Sequence, residues 1–191
     1  MTNSMLGIIP AAGSGVRARP YSYEVHKGLF EIDGQPNLER TIRIMRDDLG
    51  ISEIVIILGY MGDAIKATFG DGEGLGVSIS YVENVHLDRG WAWSVMLAKH
   101  KLAGRHACVM LSDEFYLNTN IKDIIAGDFA DHMVTVAIKQ EDDPNVIKKN
   151  FAVERNGDRI VRLIENPVTV QNDNLGIATF ILNPEVFRLL E

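Results

Sequence analysis

Apolar residues occur along this chain in two kinds of block: short continuous runs, and longer stretches in which they recur every three or four positions. Leu6-Gly7-Ile8-Ile9 is the first run, of strand length. Leu29 to Ile32 reads as a second short strand, and Asp33-Gly34-Gln35-Pro36 as a turn. Leu38, Ile42, Met45 and Leu49 follow at helical spacing, with Gly50 placed to end the helix. Ile54-Val55-Ile56-Ile57-Leu58 is continuous and mostly β-branched, the pattern of a strand covered on both faces. A helix over Asp63 to Phe69 leads through the glycine-rich Gly70 to Gly74 into a strand over Val77 to Val82. A third helix spans Trp91 to Leu102, and Ala107 to Leu111 is the next buried strand. Strands joined by helices, each connection long enough for a crossover, predict a parallel sheet with helices on both faces.

From about residue 120 the rhythm changes. Ile121 to Ala126 reads as a short helix, Val134 to Ile138 as a strand, and Asp142-Asp143-Pro144 with Lys148-Lys149 as a polar loop. Phe151 to Glu154 and Ile160 to Glu165 flank Asn156-Gly157, a strong hairpin signal. Leu175 to Leu182 is a further strand, and Pro184 opens a helix in which the sequence stops at Glu191. The expected architecture is α/β: a three-layer sandwich with a mostly parallel central sheet and a mixed-strand extension from about residue 130. One domain over 1–191 is expected, truncated at its C-terminal end.

Composition narrows the class. A chain of 191 residues can bury about 70% of its unfolded surface without disulfides or structural metal. No apolar run approaches the roughly 18 residues of a membrane span, and Met1 to Met5 lacks the basic and apolar regions of a secretory signal. A cytoplasmic location is expected. The single cysteine, Cys108, lies in an apolar run and reads as a core thiol. A net charge of -7 argues against duplex nucleic acid as a partner, which would need broad basic surface.

The chemistry concentrates where the first strand ends. The run empties into Ala11-Ala12-Gly13-Ser14-Gly15, residues small enough for backbone N–H groups to approach a ligand's oxygens. Between positions 17 and 27 stand three bases, Arg17, Arg19 and Lys27, against one acid, Glu24. That is a local cationic patch on an acidic chain, suited to phosphate. A tight turn alone would also account for the glycines. The third glycine of a dinucleotide fingerprint is missing, and no Gly-Lys-Ser/Thr follows as in a Walker loop. Ser112-Asp113-Glu114 follows the fourth buried strand, and ligands of open parallel sheets bind at the carboxyl ends of strands. Asp113 there is either a Mg²⁺ ligand or a loop carboxylate capping the next segment.

The order strand, A-A-G-S-G-V-R, loop, Lys27, then Leu29 to Pro36 resembles the nucleotidyltransferase family that makes activated sugars and phospho-alcohols, whose signature reads roughly G-x-G-x-R, spacer, P-K-x-L, G-x-P. The resemblance runs over most of the chain and implies a Rossmann-like fold, Mg²⁺, a nucleoside triphosphate and a phosphorylated small molecule as ligands. It places Ala11 to Gly15 against the nucleotide, with Gly13 to Gly15 and Arg17 on the β- and γ-phosphates, Lys27 on the α-phosphate and Asp113 on the metal. Leu111-Ser112-Asp113 has Ser where Gly is usual. His26 replaces the proline before the lysine, a departure expected to loosen the loop while leaving its charge. Glu83-Asn84 and Gly90, opening Gly90-Trp91-Ala92, match the base-recognition segment. Trp91 falls near the substrate, where core packing or cation–π capture of a choline-like group are the two readings. Glu165 and Gly176 match substrate contacts, although Asn166 stands where many relatives carry a lysine, and a bulge in a strand would equally explain Gly176. Lys148 or Lys149 could supply the missing charge, or simply be solvated.

The reaction expected is Mg²⁺-dependent nucleotidyl transfer to a sugar 1-phosphate with release of pyrophosphate. CTP-dependent transfer to phosphocholine, a similar phospho-alcohol or inositol phosphate is the alternative, and a nucleotide-binding module without catalysis a second. The base, the acceptor and any homo-oligomer stay open. The histidines show neither metal-ligand spacing nor a triad partner.

Overall fold

Alternation of side chains along the strands sorts the apolar runs onto two faces. The computed structural model describes residues 5–127 and 129–189. In chain order the elements are β1 (Leu6–Ala11), β2 (Glu31–Ile32), β3 (Gln35–Pro36), α1 (Asn37–Asp47), β4 (Glu53–Leu58), α2 (Gly62–Phe69), β5 (Ser78–Glu83), α3 (Gly90–Met96), β6 (Ala107–Val109), α4 (Asp123–Ala126), β7 (Val134–Gln140), α5 (Pro144–Lys148), β8 (Phe151–Asn156), β9 (Arg159–Glu165), β10 (Asn174–Leu182) and α6 (Val186–Leu189). Two compact units are distinguishable, one running through Thr135 and resuming at Phe180, the other covering Val136–Thr179.

In the first unit the parallel strands lie in the order β5-β4-β1-β6. Gly7 sits beside Ile54 and Ala11 beside Leu58, while Leu6 sits beside Ala107. The Phe180–Leu182 end of β10 runs antiparallel beside β6. Ile9, Ala11, Ile54, Ile56 and Leu58 point to one face and pack on Leu38, Ile42 and Met45 of α1 and Ile65 of α2. Leu6, Ile8, Val55 and Ile57 point to the other, against Val95 of α3, Ala98, Leu102 and Phe187 of α6. Each Leu, Ile, Val, Met or Phe among them contributes about 1.5–3 kcal/mol on burial, which is why every position of the β4 run from Ile54 on is apolar. Helix, sheet and helix form the three layers that the pattern predicts. Cys108 is fully buried within this core, and burial pushes its thiol up to about 12.

Several boundaries differ from expectation. Leu29 does not belong to a strand: residues Lys27–Leu29 form a 3₁₀ turn, and β2 and β3 make a two-residue hairpin whose Asp33 and Gly34 both take positive φ, 52° and 71°. That is the backbone a tight hairpin of the right twist requires. The helix expected over Trp91 to Leu102 is shorter. It ends at Met96 and tightens into a 3₁₀ turn at Lys99–Lys101, while Val95, Ala98 and Leu102 still share the buried face. Gly50 closes the region after α1 with φ 65°, as the glycine there suggests.

The second unit is a hairpin stack. β8 and β9 pair antiparallel across the turn at Gly157, φ 59°, and Leu175 of β10 sits beside Ala152 of β8. Its small core is Ile147, Ala152 and Leu175. The stretch expected as a polar loop is helical through Lys148, because Pro144 sits in the first turn and the Asp143 side chain accepts from the Asn145 N–H. Among the described residues no helix is long and apolar enough to cross a membrane.

Gly7 lies where β1 passes under α1: a Cβ there would come within 2.8 Å of Met45 Sδ and 3.1 Å of Ile54 Cγ1. Gly7→Ala should therefore destabilise the fold by about 1–3 kcal/mol through overpacking, read as a lowered midpoint in urea at unchanged slope.

Candidate active site

The parallel strands bring their carboxyl ends to one rim, and the predicted phosphate loop stands on it directly after β1. Gly15 takes a left-handed conformation, φ 62°, which turns the chain into a 3₁₀ turn over Val16–Ala18 and leaves Arg17 exposed on it. Two side chains outside the predicted set fix this loop. Ser22 Oγ donates to the Gly15 carbonyl at 2.7 Å, and Tyr60 Oη donates to the Ser22 carbonyl at 3.2 Å. Gly59, at the end of β4, lies so close that an added Cβ would stand 2.6 Å from the Ala12 carbonyl oxygen. Only hydrogen fits there.

Lys27 reaches the same rim. Its Nζ would lie 3.8 Å from a Cβ placed on Gly13, and it donates to Asp113 Oδ2 at 2.7 Å. Gly13, Lys27 and Asp113 thus meet at one place on the rim, and the paired charges of Lys27 and Asp113 are partly exposed. The turn carrying Asp113 is fixed from α1: buried Asn37 donates from Nδ2 to the carbonyls of Ser112 at 3.2 Å and Glu114 at 2.8 Å, on either side of it. Ser112 itself is fully buried, and a Cβ on Gly28 would meet Ser112 Cβ at 3.2 Å.

His26 does not loosen the loop. It is fully buried, with Nε2 2.9 Å from the Ala11 carbonyl oxygen and Nδ1 accepting from the Gly28 N–H at 3.0 Å, so side-chain bonds hold the turn where a proline ring was expected.

Next to the glycine loop, the ends of β4 and β5 enclose a cleft of about 390 Å³ lined by Leu58, Gly59, Lys66, Glu83, Asn84 and Leu87 among others. Glu83 is exposed and ion-paired with Lys66 at 2.8 Å, and that hydrogen bond holds its carboxyl below the usual range. Asn84 is buried and occupied. Its Nδ2 donates to Ser94 Oγ at 2.9 Å and its Oδ1 accepts from the His86 N–H at 2.9 Å, which ties the end of β5 to α3. Its side chain therefore serves the cleft's wall. Gly90, φ 80°, opens α3 with free space where a Cβ would stand. Trp91 is 39% exposed and leans on Phe180 with ring centroids 5.0 Å apart, while the Trp93 ring carries the Arg89 guanidinium at 4.4 Å. Neither tryptophan is a core residue, and the face of Trp93 already holds a cation.

The remaining expected residues belong to the second unit. Glu165 ends β9, exposed and opposite Phe151, and Asn166 takes φ 46° and donates its N–H to the Asn150 carbonyl. Gly176 is buried under Phe151, whose Cε2 would lie 1.7 Å from a Cβ. Packing alone accounts for that glycine. Among the described residues no three His, Cys, Asp or Glu side chains converge as a metal cage.

The chain is 27% identical over 194 residues to the low-salt glycan biosynthesis nucleotidyltransferase Agl11 of Haloferax volcanii, covering 98% of this chain and 52% of that protein. It is 25% identical over 185 residues to the UTP–glucose-1-phosphate uridylyltransferase AglF of the same organism, covering 96% of this chain and 74% of that one. A shorter stretch of 62 residues, 32% of this chain and 26% of the relative, is 46% identical to the choline-phosphate cytidylyltransferase of Haemophilus influenzae. The chain therefore spans about half the length of Agl11 and three quarters of AglF. Among solved structures, UDP-glucose pyrophosphorylase complexed with UDP-glucose superposes with a TM-score of 0.84 at 17% identity, covering 97% of this chain and 78% of that one, which shows the shared fold. The family model described as nucleotidyl transferase matches residues 6–191, and the chain belongs to that family.

Proposed function

We propose that this chain transfers a nucleotidyl group from a nucleoside triphosphate to the phosphate of a sugar 1-phosphate. The observation that carries the reading is the meeting of Gly13, Lys27 and Asp113 at one strand rim, across 86 positions of sequence between the two charges. An oxygen of the acceptor's phosphate attacks the α-phosphorus, the bond from that phosphorus to the bridging oxygen breaks, and pyrophosphate leaves with the electron pair. Attacker and target are both anions, so catalysis consists of neutralisation and alignment. Backbone N–H groups of Gly13 to Gly15 and the exposed Arg17 suit the β- and γ-phosphates. Lys27 suits the α-phosphate, where two unit charges about 4 Å apart are worth about 4 kcal/mol at an effective dielectric near 20. The cleft beside Glu83 and Asn84 suits the base.

Magnesium takes one or two carboxylates and fills its shell with phosphate oxygens and water. A single carboxylate at the phosphate loop, with no protein cage among the described residues, fits an ion that enters with the triphosphate, and Asp113 is the residue that would hold it. Bound there, the ion neutralises phosphate charge and fixes the geometry of the displacement. In the ligand-free protein Lys27 and Asp113 satisfy each other; a bound triphosphate would offer the Lys27 ammonium a phosphate oxygen in place of Asp113.

A second reading, CTP-dependent transfer to phosphocholine or a related phospho-alcohol, draws support from the 46% identity to a choline-phosphate cytidylyltransferase over 62 residues and from Asn166 in place of a phosphate-binding lysine.

Lys27→Ala should lower turnover by about 10² or more, by analogy with loss of one transition-state donor; steady-state pyrophosphate release checks it, and an unchanged rate removes Lys27 from the mechanism. Chelation of divalent ions should abolish release, and added Mg²⁺ restore it, for wild type. Pyrophosphate release over a grid of triphosphates against sugar 1-phosphates, phosphocholine and inositol phosphate separates the two readings by which pair turns over. Saturable triphosphate binding with release from no pair would instead indicate a binding module.

A further inference from the structure

One buried titratable group takes no part in the transfer outlined above. His26 is fully buried in the loop that delivers Lys27, and both its ring nitrogens are occupied by backbone. Gly28 brings a proton to Nδ1, so Nδ1 must hold a lone pair; Ala11 offers a carbonyl to Nε2, so Nε2 must hold the hydrogen. A single protonation state meets both demands, the neutral Nε2–H imidazole. A doubly protonated ring would set N–H against N–H at Gly28 and break the bond that caps the 3₁₀ turn over Lys27–Leu29.

The surroundings favour the neutral form. Burial lowers the affinity of His26 for a second proton; the Ala11 carbonyl opposes this, the Lys27 ammonium reinforces it and the Asp113 carboxylate opposes it, with a net downward displacement. Those two are the charged groups that act on the ring, one beside it on the loop and one on the turn after β6. Since the unfolded chain binds the proton more readily, the arrangement is complete above the ordinary histidine range and is lost as pH falls through the depressed value.

The two bonds straddle Lys27. One anchors to the last residue of β1, immediately before the glycine loop; the other anchors to the residue after the lysine, which is pressed against Ser112 with a Cβ-to-oxygen separation of 3.3 Å if a Cβ were present. We infer that His26 is a positioning residue, a neutral imidazole strap that ties the Lys27 turn to the end of β1 and thereby sets where the Lys27 ammonium stands between Gly13 and Asp113. The inference rests on the proposed transfer only for what Lys27 acts upon.

The test separates the strap from the reaction. In ¹⁵N-histidine spectra of the whole chain, assigned with a His26 variant, the ring should show a protonated Nε2 and an unprotonated Nδ1 at about pH 8, with a midpoint below the roughly 6.5 of a free imidazole. The Lys27 ammonium signal, slowed in exchange by its bond to Asp113, should vanish in His26→Ala and persist in His26→Asn, whose Oδ1 can replace Nδ1 as acceptor for Gly28. Turnover should fall about tenfold or more in His26→Ala, recover most of the way in His26→Asn, and leave the KM for triphosphate within about threefold, as misplacement of a single reacting group predicts. His26→Gln, which keeps only the reach to Ala11, should lie between them. An Nδ1–H tautomer, or an unchanged Lys27 signal in folded His26→Ala, overturns the strap. If wild type turns over no pair of substrates while both signatures hold, the transfer reading falls and the strap stands.

Discussion

A lysine and an aspartate 86 positions apart in sequence meet at 2.7 Å, and neither side chain is buried enough to hold the other there unaided. A half-exposed ion pair is worth little by itself, so the backbone must set the distance. Each charge is delivered by a short turn with its own anchor. His26 binds one turn to β1, and Asn37 of α1 binds the other through two carbonyls. The pair then marks where two separately anchored turns meet.

The supports depend in turn on the parallel sheet. Because β1, β4, β5 and β6 run the same way, all their ends open on one rim, and every loop there starts from a strand packed on both faces. That is why the glycine loop, the cleft wall and the Asp113 turn can be separate in sequence and adjacent in space. Close approach is enforced by missing atoms as much as by contacts. Gly59 leaves room for the Ala12 carbonyl, and Gly28 for the Asp113 turn.

Much of this is legible in the sequence. The run Ile54 to Leu58 has the pattern of a strand covered on both sides, and the small residues from Ala11 to Gly15 mark the turn that follows β1 on the rim. What escapes is whatever depends on a partner far along the chain. Nothing local marks Asn37 as a brace for residues 112 and 114, or Ser22 as a latch on Gly15. His26 is misread for a related reason: a polar ring in place of a proline suggests slack until its two backbone partners are seen. Nor does anything local show that the Asn84 side chain bonds Ser94 and the His86 N–H, tying the end of β5 to α3. Local turn chemistry decides the remaining differences, as at Asp33-Gly34, where a positive φ at both positions folds a hairpin out of what looked like one strand and a turn.

Cys108 lies in β6, the strand that carries the Asp113 turn, and is the chain's single thiol. Burial pushes its thiol up, which disfavours the thiolate that alkylating reagents attack. Alkylating reagents can therefore reach it only when β6 separates from its neighbours. The native sequence thus carries a built-in clock for that separation: the rate at which one sulfur becomes modified counts how often the sheet's centre opens, with no label or mutation required.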